Sequence, residues 1–441
     1  MRITPRARTA SLAVVVLLAG VLASDVAGIP GCAGGCKTPT ATAAAPPAPP
    51  QPKPPVLGIS PMDDAVGVSP LATPTAEVFG GRITGVSLVD DWGYAVEGEV
   101  SADGTTWAPT ERLNFARNYT MTVSGKSRSG VPLTRTTYFS TLVPNNYIHP
   151  YLERPGGFAL NPDERYGVGT VVIARFDEPV QNKALAERNL VVKTDPPVQG
   201  SWYWIDDYSA HWRPKNYYTP GTRVTVKANI FGLELGEGLY GQDDAEASFT
   251  IGESRMAVAN DITKQVSLFE NGKLVRTMPT SMGKGGYSTF GDKTFHWWTP
   301  TGVYTVIDKG ELVTMDSATY GVPAGTAESY KRKIGYATRI SLDGIYLHQL
   351  DDTVWAQGNT NVSHGCLNLS GDNARWYFDF VQPGDPVDVR FTGGPKLEHS
   401  HNGDWSLSWE QWSKGSALNE GGPAPLAASP DPGQPQVAPG P

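Results

Sequence analysis

A tryptophan–proline step recurs in this chain at the spacing of one small domain. Trp107-Ala108-Pro109 precedes the alternating Tyr119, Met121 and Val123, and Trp212-Arg213-Pro214 precedes Val224, Val226 and Ala228. The offset from tryptophan to first strand residue is 12 in both copies, and the tryptophans lie 105 residues apart. Each copy closes in a short β-prone run, Thr137–Thr141 and Ala247–Ile251. Apolar residues at period two occupy one face of a strand. About a hundred residues per unit, broken by regular turns, suits a small β-sandwich. The chain thus reads as two sandwiches, residues 57–145 and 146–253, for which a spacer role is expected in preference to substrate binding.

A third domain is expected over residues 254–392. Gln265–Phe269 and Lys273–Met278 flank Asn271-Gly272, a pair that accepts the positive φ a tight hairpin needs. Val303–Ile307, Ala337–Ser341, Ile345–Leu347 and Pro386–Phe391 read as further strands, with Asp343-Gly344 as a turn. Ser370 is placed to cap a helix through Ala374, Tyr377 and Phe380, ended by Pro383-Gly384. The fold class is mostly β with short helices, in keeping with 49 Gly and 37 Pro. In a segment spanning 393–416, Trp405, Trp409 and Trp412 stand at helical spacing, and a packing stripe is expected in preference to a sugar-stacking platform.

Both ends of the chain differ from this middle. Arg2, Arg6 and Arg8 precede an apolar run, Ala10–Ala23, which is the pattern of an export signal over residues 1–31. The run is short for a membrane span. Cys32 or Cys36 as a lipidated cysteine, ordinary cleavage near Ala23–Ala27, and an uncleaved anchor all remain open. Export to the outer face of the cytoplasmic membrane, periplasm and cell wall is expected, with membrane contact through the N-terminus alone. Residues 32–56 and 417–441 are Pro- and Ala-rich and read as a spacer and a disordered tail. A net charge of −8 without a basic stripe argues against nucleic acid.

The chemistry concentrates in Ser363-His364-Gly365-Cys366-Leu367-Asn368, which follows His348 by 18 positions to the cysteine. Of three cysteines, Cys366 alone lies in the expected folded part. An unpaired thiol runs against the habit of exported proteins and calls for a reason. A thiol becomes a nucleophile when a base takes its proton, and a histidine on a neighbouring strand is the usual base. His348 is therefore the expected base, with His364 the rival, too close in sequence to reach the thiol freely.

This box and its spacing resemble the signature of the YkuD-type L,D-transpeptidases, and the whole chain resembles their mycobacterial members. The resemblance implies immunoglobulin-like sandwiches followed by a β-rich catalytic domain. It implies Cys366 as nucleophile, His348 as base, and the main-chain carbonyl of Gln349 as the group that orients the imidazole; many relatives carry Gly or Ser where Gln349 stands. The N–H groups of Gly365 and Cys366 are candidate oxyanion donors. Tyr330, Tyr320, Met315, Asp343, Gly344, Asn368, Ser363 and His364 fall where the family contacts substrate or its mobile lid. The implied partners are peptidoglycan stem peptides and carbapenem-type inhibitors. The implied reaction is a 3→3 crosslink formed through a thioester, with loss of D-Ala.

An L,D-carboxypeptidase and a non-catalytic wall-binding protein stand as alternatives. A sortase-like enzyme fits poorly, because its cysteine box differs, and papain-like enzymes place cysteine before histidine. No cofactor is required. Glu234, Glu237 and Gly238, with Asp243 and Asp244 nearby, offer oxygen ligands of the kind calcium takes, against a solvated turn as the plainer expectation. His399 and His401 are weaker still as a metal pair. Asp351 and Asp352 add negative charge beside the site, and an influence on substrate or inhibitor choice is expected of them.

Overall fold

In both repeats the tryptophan ring lies over a glycine. Strand register sets Gly98 opposite Pro109 and Gly200 opposite Pro214. A Cβ on Gly98 would stand 2.2 Å from the Trp107 ring, and one on Gly200 only 2.0 Å from Trp212. The repeated sequence step therefore marks a repeated close approach that only glycine permits. The computed structural model describes residues 56–419. The export segment with Cys32 and Cys36, the spacer up to residue 55 and the tail from residue 420 lie outside the described residues.

The first sandwich packs a four-stranded sheet (Val56–Ser60, Thr75–Phe79, Thr106–Pro109, Gly98–Val100) on another (Ala65–Val68, Pro132–Thr141, Asn118–Ser127, Gly81–Asp90). Leu88, Trp107, Met121 and Val123 fill its core. The Tyr119 hydroxyl accepts the Asn114 N–H at 2.8 Å, a tyrosine-corner bond of the immunoglobulin type. The second sandwich pairs a five-stranded sheet containing Val172–Phe176 and Ser209–Pro214 with a four-stranded one containing Arg223–Ala228 and Ala245–Ile251. Its Tyr166 repeats the corner bond to the Asn161 N–H at 3.0 Å.

Two sheets build the third domain. One has the spatial order Lys273–Pro279, Gln265–Glu270, Arg255–Asn260, Pro386–Arg390, Gly302–Thr305. The Asn271-Gly272 turn between its first two strands takes positive φ at both residues, as the sequence predicts. The other sheet runs Asp308–Asp316, Lys331–Arg339, Tyr346–Gln349, Leu367–Leu369. Strand Asp308–Asp316 was not read from the sequence, where its Met315 end is assigned to a lid. Its exposed Leu312 and scattered charges give it no alternating apolar face. A separate hairpin, Tyr287–Phe290 with Lys293–His296, was also missed, although Gly291 with positive φ opens its turn.

Helix Gly371–Phe380 packs against Lys331–Arg339 and Tyr346–Gln349, burying Ala374 and Tyr377. Ser370 occupies the N-cap, but its side chain makes no capping bond. Asp351 substitutes, its carboxylate accepting the Gly371 N–H at 2.7 Å. Asn402, at a positive φ of 75°, joins the two sheets from the C-terminal segment. Its amide donates to the carbonyls of Thr305 at 2.7 Å and Ile340 at 2.6 Å.

The three C-terminal tryptophans do not share one helix. Trp405 lies in a 3-10 turn, Asp404–Ser406, and Ser408 starts a new helix, Trp409–Ser413, with a capping box to Gln411. The rings nevertheless converge on Arg213, whose guanidinium carbon is 4.5 Å from the Trp405 ring centre, 4.6 Å from Trp412 and 5.9 Å from Trp409. Arg213 donates to the carbonyls of Asp404 at 3.1 Å and Leu407 at 2.8 Å. Asp404 also meets His211 Nδ1 at 2.7 Å. Arg213 is 2% exposed, and a buried charge stripped of its partners is costly in either direction. Arg213→Ala is expected to destabilise the chain by about 3–5 kcal/mol and to open residues 404–416 to proteolysis. Arg213→Met, which keeps the packing stem, should recover part of the loss. An unchanged melting profile with an uncut C-terminal segment would contradict this account.

The loop read as a possible calcium site is a hairpin, Glu234–Gly236 with Leu239–Gly241. The Gly238 carbonyl accepts the N–H groups of Asn145 at 3.0 Å and Asn146 at 3.1 Å, and Glu234 accepts the Gly238 N–H at 3.2 Å. Protein donors thus engage the Gly238 carbonyl and a Glu234 oxygen. Asp243 faces His149 and Asp244 pairs with Arg112, so both turn toward other partners. Among the described residues no three His, Cys, Asp or Glu side chains are gathered as a metal site.

Candidate active site

Parallel pairing of strand Tyr346–Gln349 with strand Leu367–Leu369 brings His348 alongside the cysteine box. The register sets His348 beside Asn368, and Cys366 is the residue immediately before that strand. Gly365, at a φ of 145°, turns the chain into the strand. Its carbonyl accepts the Thr299 hydroxyl at 2.7 Å. Ser363 Oγ donates to the Cys366 carbonyl at 2.6 Å and accepts the Gly365 N–H at 3.1 Å. Of the two expected oxyanion donors, Gly365 therefore already spends its N–H on Ser363. The N–H of Cys366 is the remaining candidate.

The protonation of the base follows from one bond. His348 Nδ1 lies 2.9 Å from the Gln349 carbonyl oxygen. A carbonyl can only accept, so Nδ1 carries the hydrogen and Nε2 presents a lone pair. Burial pushes the imidazole down to about 4, against the smaller opposing effect of the Gln349 bond. Burial also pushes the Cys366 thiol up to about 11. The resting pair is thus neutral thiol and neutral imidazole. The thiol lies 3.7 Å from the Gly344 carbonyl, its hydrogen-bond partner in this state.

Gln349 is itself held. Its side-chain amide donates to Asp351 at 2.6 Å, while the other Asp351 oxygen takes the Gly371 N–H. Room for that amide comes from Gly335, where a Cβ would stand 2.5 Å from the Gln349 oxygen. A residue expected to act through its main chain alone is thereby fixed through its side chain as well. Asp352 instead pairs with Arg332 at 3.0 Å in solvent.

His364, the rival base, is engaged by a carboxylate. Its Nε2 sits 2.6 Å from Glu328, whose other partner is Lys284. A carboxylate can only accept, so this Nε2 is protonated and unavailable as a base. Burial lowers the His364 pKa, outweighing the raising effect of Glu328. The ring stacks on Tyr330 at 5.4 Å and meets the edge of Trp297 at 4.6 Å. Tyr320 donates its hydroxyl to that of Tyr330 at 3.1 Å. Burial raises both phenols, Tyr320 to about 12, so both remain hydrogen-bond donors at neutral pH.

Met315 ends strand Asp308–Asp316, directly before the 3-10 turn that carries Tyr320. Asp343 accepts the Ser341 hydroxyl and faces His401 at 3.7 Å, beside Gly344 at the thiol. Asn368 is 1% exposed, and neither polar atom of its amide has a protein partner. Its main chain bridges to Ser281. Thr299, Trp297, Glu328 and Lys284 were not expected here. Only the His296-Trp297-Trp298 cluster gave a sequence signal, and it fits an aromatic core equally well.

A catalytic-domain model for L,D-transpeptidases matches residues 255–389, and a bacterial Ig-domain model matches residues 65–234. L,D-transpeptidase 2 of Mycobacterium tuberculosis is 39% identical over 366 residues, covering 82% of this chain and 85% of the relative. The chain belongs to the L,D-transpeptidase family. L,D-transpeptidase 5 of the same species is 33% identical over 92% of this chain and 85% of its own. The solved L,D-transpeptidase 3 of that species, in complex with a faropenem-derived adduct, is 28% identical over 54% of this chain and 98% of its own, with a TM-score of 0.42.

Two measurements check this geometry. Alkylation of Cys366 by iodoacetamide should accelerate steadily from pH 7 to pH 10, since the thiolate is populated only near its raised pKa of about 11. A plateau reached by pH 6 would instead reveal a preformed ion pair. Asp351→Ala, which frees Gln349, is expected to slow acylation by about tenfold with unchanged substrate affinity. An unaltered acylation rate would show that the clamp serves the helix alone.

Proposed function

We propose that this family member forms 3→3 crosslinks between peptidoglycan stem peptides through a thioester at Cys366. The observation that carries the reading is the His348 Nδ1–Gln349 carbonyl bond, which leaves Nε2 free as a base on the strand beside the cysteine. As Sγ adds to the carbonyl of the third stem residue, its proton passes to Nε2. The imidazolium so formed is held by the same Gln349 carbonyl. The tetrahedral oxyanion meets the Cys366 N–H, with the Tyr330 hydroxyl a second donor. Collapse breaks the bond to the terminal D-Ala, whose nitrogen takes the proton from His348, leaving the thioester.

The side-chain amine of a second stem then attacks the thioester. His348 accepts the amine proton and returns it to sulfur as the new amide forms. Because the resting pair is neutral, proton transfer accompanies attack rather than preceding it. Carbapenem-type inhibitors enter the same scheme, since a strained lactam carbonyl acylates the thiol and offers no leaving amine to diffuse away. Export to the wall, expected from the N-terminal sequence, places the enzyme with this substrate.

The test is intact-protein mass spectrometry with a disaccharide-tetrapeptide, with muropeptide products read in parallel and Cys366→Ala as control. Loss of D-Ala with dimer formation, only when Cys366 is present, is the expected result. Loss of D-Ala without dimers would reassign the protein as a carboxypeptidase. No adduct and no product would overturn the enzymatic reading in favour of wall binding.

A further inference from the structure

The two sandwiches enclose a cleft of about 490 Å³. Its walls are fixed by contacts that span the junction. Arg112 of the first sandwich pairs with Asp244 of the second. Phe115 packs on Tyr147 at 5.5 Å and on Phe231 at 5.4 Å. The rings of Trp92, Tyr94 and Tyr147 line the cleft together with Asn114, Gln242 and Asp243.

Trp92 is 77% exposed, yet both its main-chain N–H and its ring have partners. The carboxylate of Asp90, itself only 6% exposed, accepts the N–H of Trp92 at 3.0 Å and that of Tyr94 at 2.8 Å. Arg117 lies 3.2 Å from the Trp92 ring centre and 3.6 Å from the second Asp90 oxygen. The guanidinium stacks on the indole, and both side chains belong to residues that line the cleft. A buried carboxylate and a stacked cation thus preorganise an exposed aromatic surface, which lowers the entropy lost on binding.

We propose that this cleft binds the sugar chain of peptidoglycan, seating N-acetylhexosamine rings on Trp92. The choice of polymer rests on the function proposed above; the sugar-binding chemistry is independent of it. A pyranose offers a flat C–H face to an aromatic ring, and its hydroxyl and acetamido groups point outward at the ring edge. Those edge groups match the amides of Asn114 and Gln242. The cleft lacks the basic stripe that a nucleic acid requires. By this reading the sandwiches hold the enzyme on its polymer in addition to spacing it.

The experiment is calorimetric titration of the full chain with an N-acetylglucosamine hexamer free of peptide, up to about 10 mM. Saturable binding is expected, equal in the wild type and in Cys366→Ala. Trp92→Ala should weaken it about tenfold, and Trp92→Phe by less. Because Trp92 is exposed, its loss should leave the melting profile unchanged, which the same samples report. Absence of binding by the wild type, or equal binding by Trp92→Ala, would overturn the proposal. Sugar binding that persists while the mass-spectrometric assay shows no acylation would sustain the cleft and refute the enzyme. Acylation without sugar binding would do the reverse.

Discussion

A buried guanidinium ties the C-terminal segment to the second sandwich, beside main-chain bonds from Gly167 to Pro383 at 2.8 Å and from Gly169 to Gly384 at 2.9 Å that join the sandwich to the catalytic domain. Arg213 leaves water to stand among Trp405, Trp409 and Trp412, with two main-chain carbonyls as acceptors and the Asp404 carboxylate nearby. Its desolvation is severe enough to lower its pKa to about 10. The cost is tolerated because the site is closely satisfied, and removing either side strands the other. From this anchor the segment runs back to Asn402, which bridges both catalytic sheets, and to His401, which faces Asp343 beside the thiol. The second sandwich is therefore part of the scaffold of the site as well as its neighbour.

The site itself runs on burial and directed hydrogen bonds more than on charge. Neither His348 nor Cys366 has an opposite charge nearby to favour its ionised form, and burial keeps each neutral. The ionised groups around them, Glu328 with Lys284 and Asp352 with Arg332, are engaged in their own pairs. An arrangement of this kind keeps an unpaired thiol protonated and slow to oxidise.

Much of this was legible in the sequence, for identifiable reasons. The sandwiches announced themselves through period-two alternation and a repeated tryptophan, and the Asn271-Gly272 hairpin through turn chemistry. The motif's spacing was readable as two neighbouring strands, and Tyr346–Gln349 does pair in parallel with Leu367–Leu369. Strand Asp308–Asp316 was hidden because a partly solvated strand with charges on both faces has no apolar period. The Asp351 cap was hidden because it lies 20 residues from the glycine it caps. Ser370, the local candidate, sits at the right place without making the bond. Partners distant in sequence, such as Glu328 for His364 and Thr299 for Gly365, leave no local trace.

Ser416 and Ala417 dock on the second sandwich, away from the catalytic domain. Glu187, on helix Lys183–Asn189, accepts the Ser416 hydroxyl and, at 2.7 Å, the Ala417 N–H, while also receiving the Trp204 indole at 2.9 Å. Mechanically, the catalytic domain is a loop of chain moored at both ends to one sandwich. A pull applied beyond Asn419 would load Glu187 and Arg213 first and reach His348 and Cys366 last. Tension along the polypeptide is thereby diverted from the atoms that react.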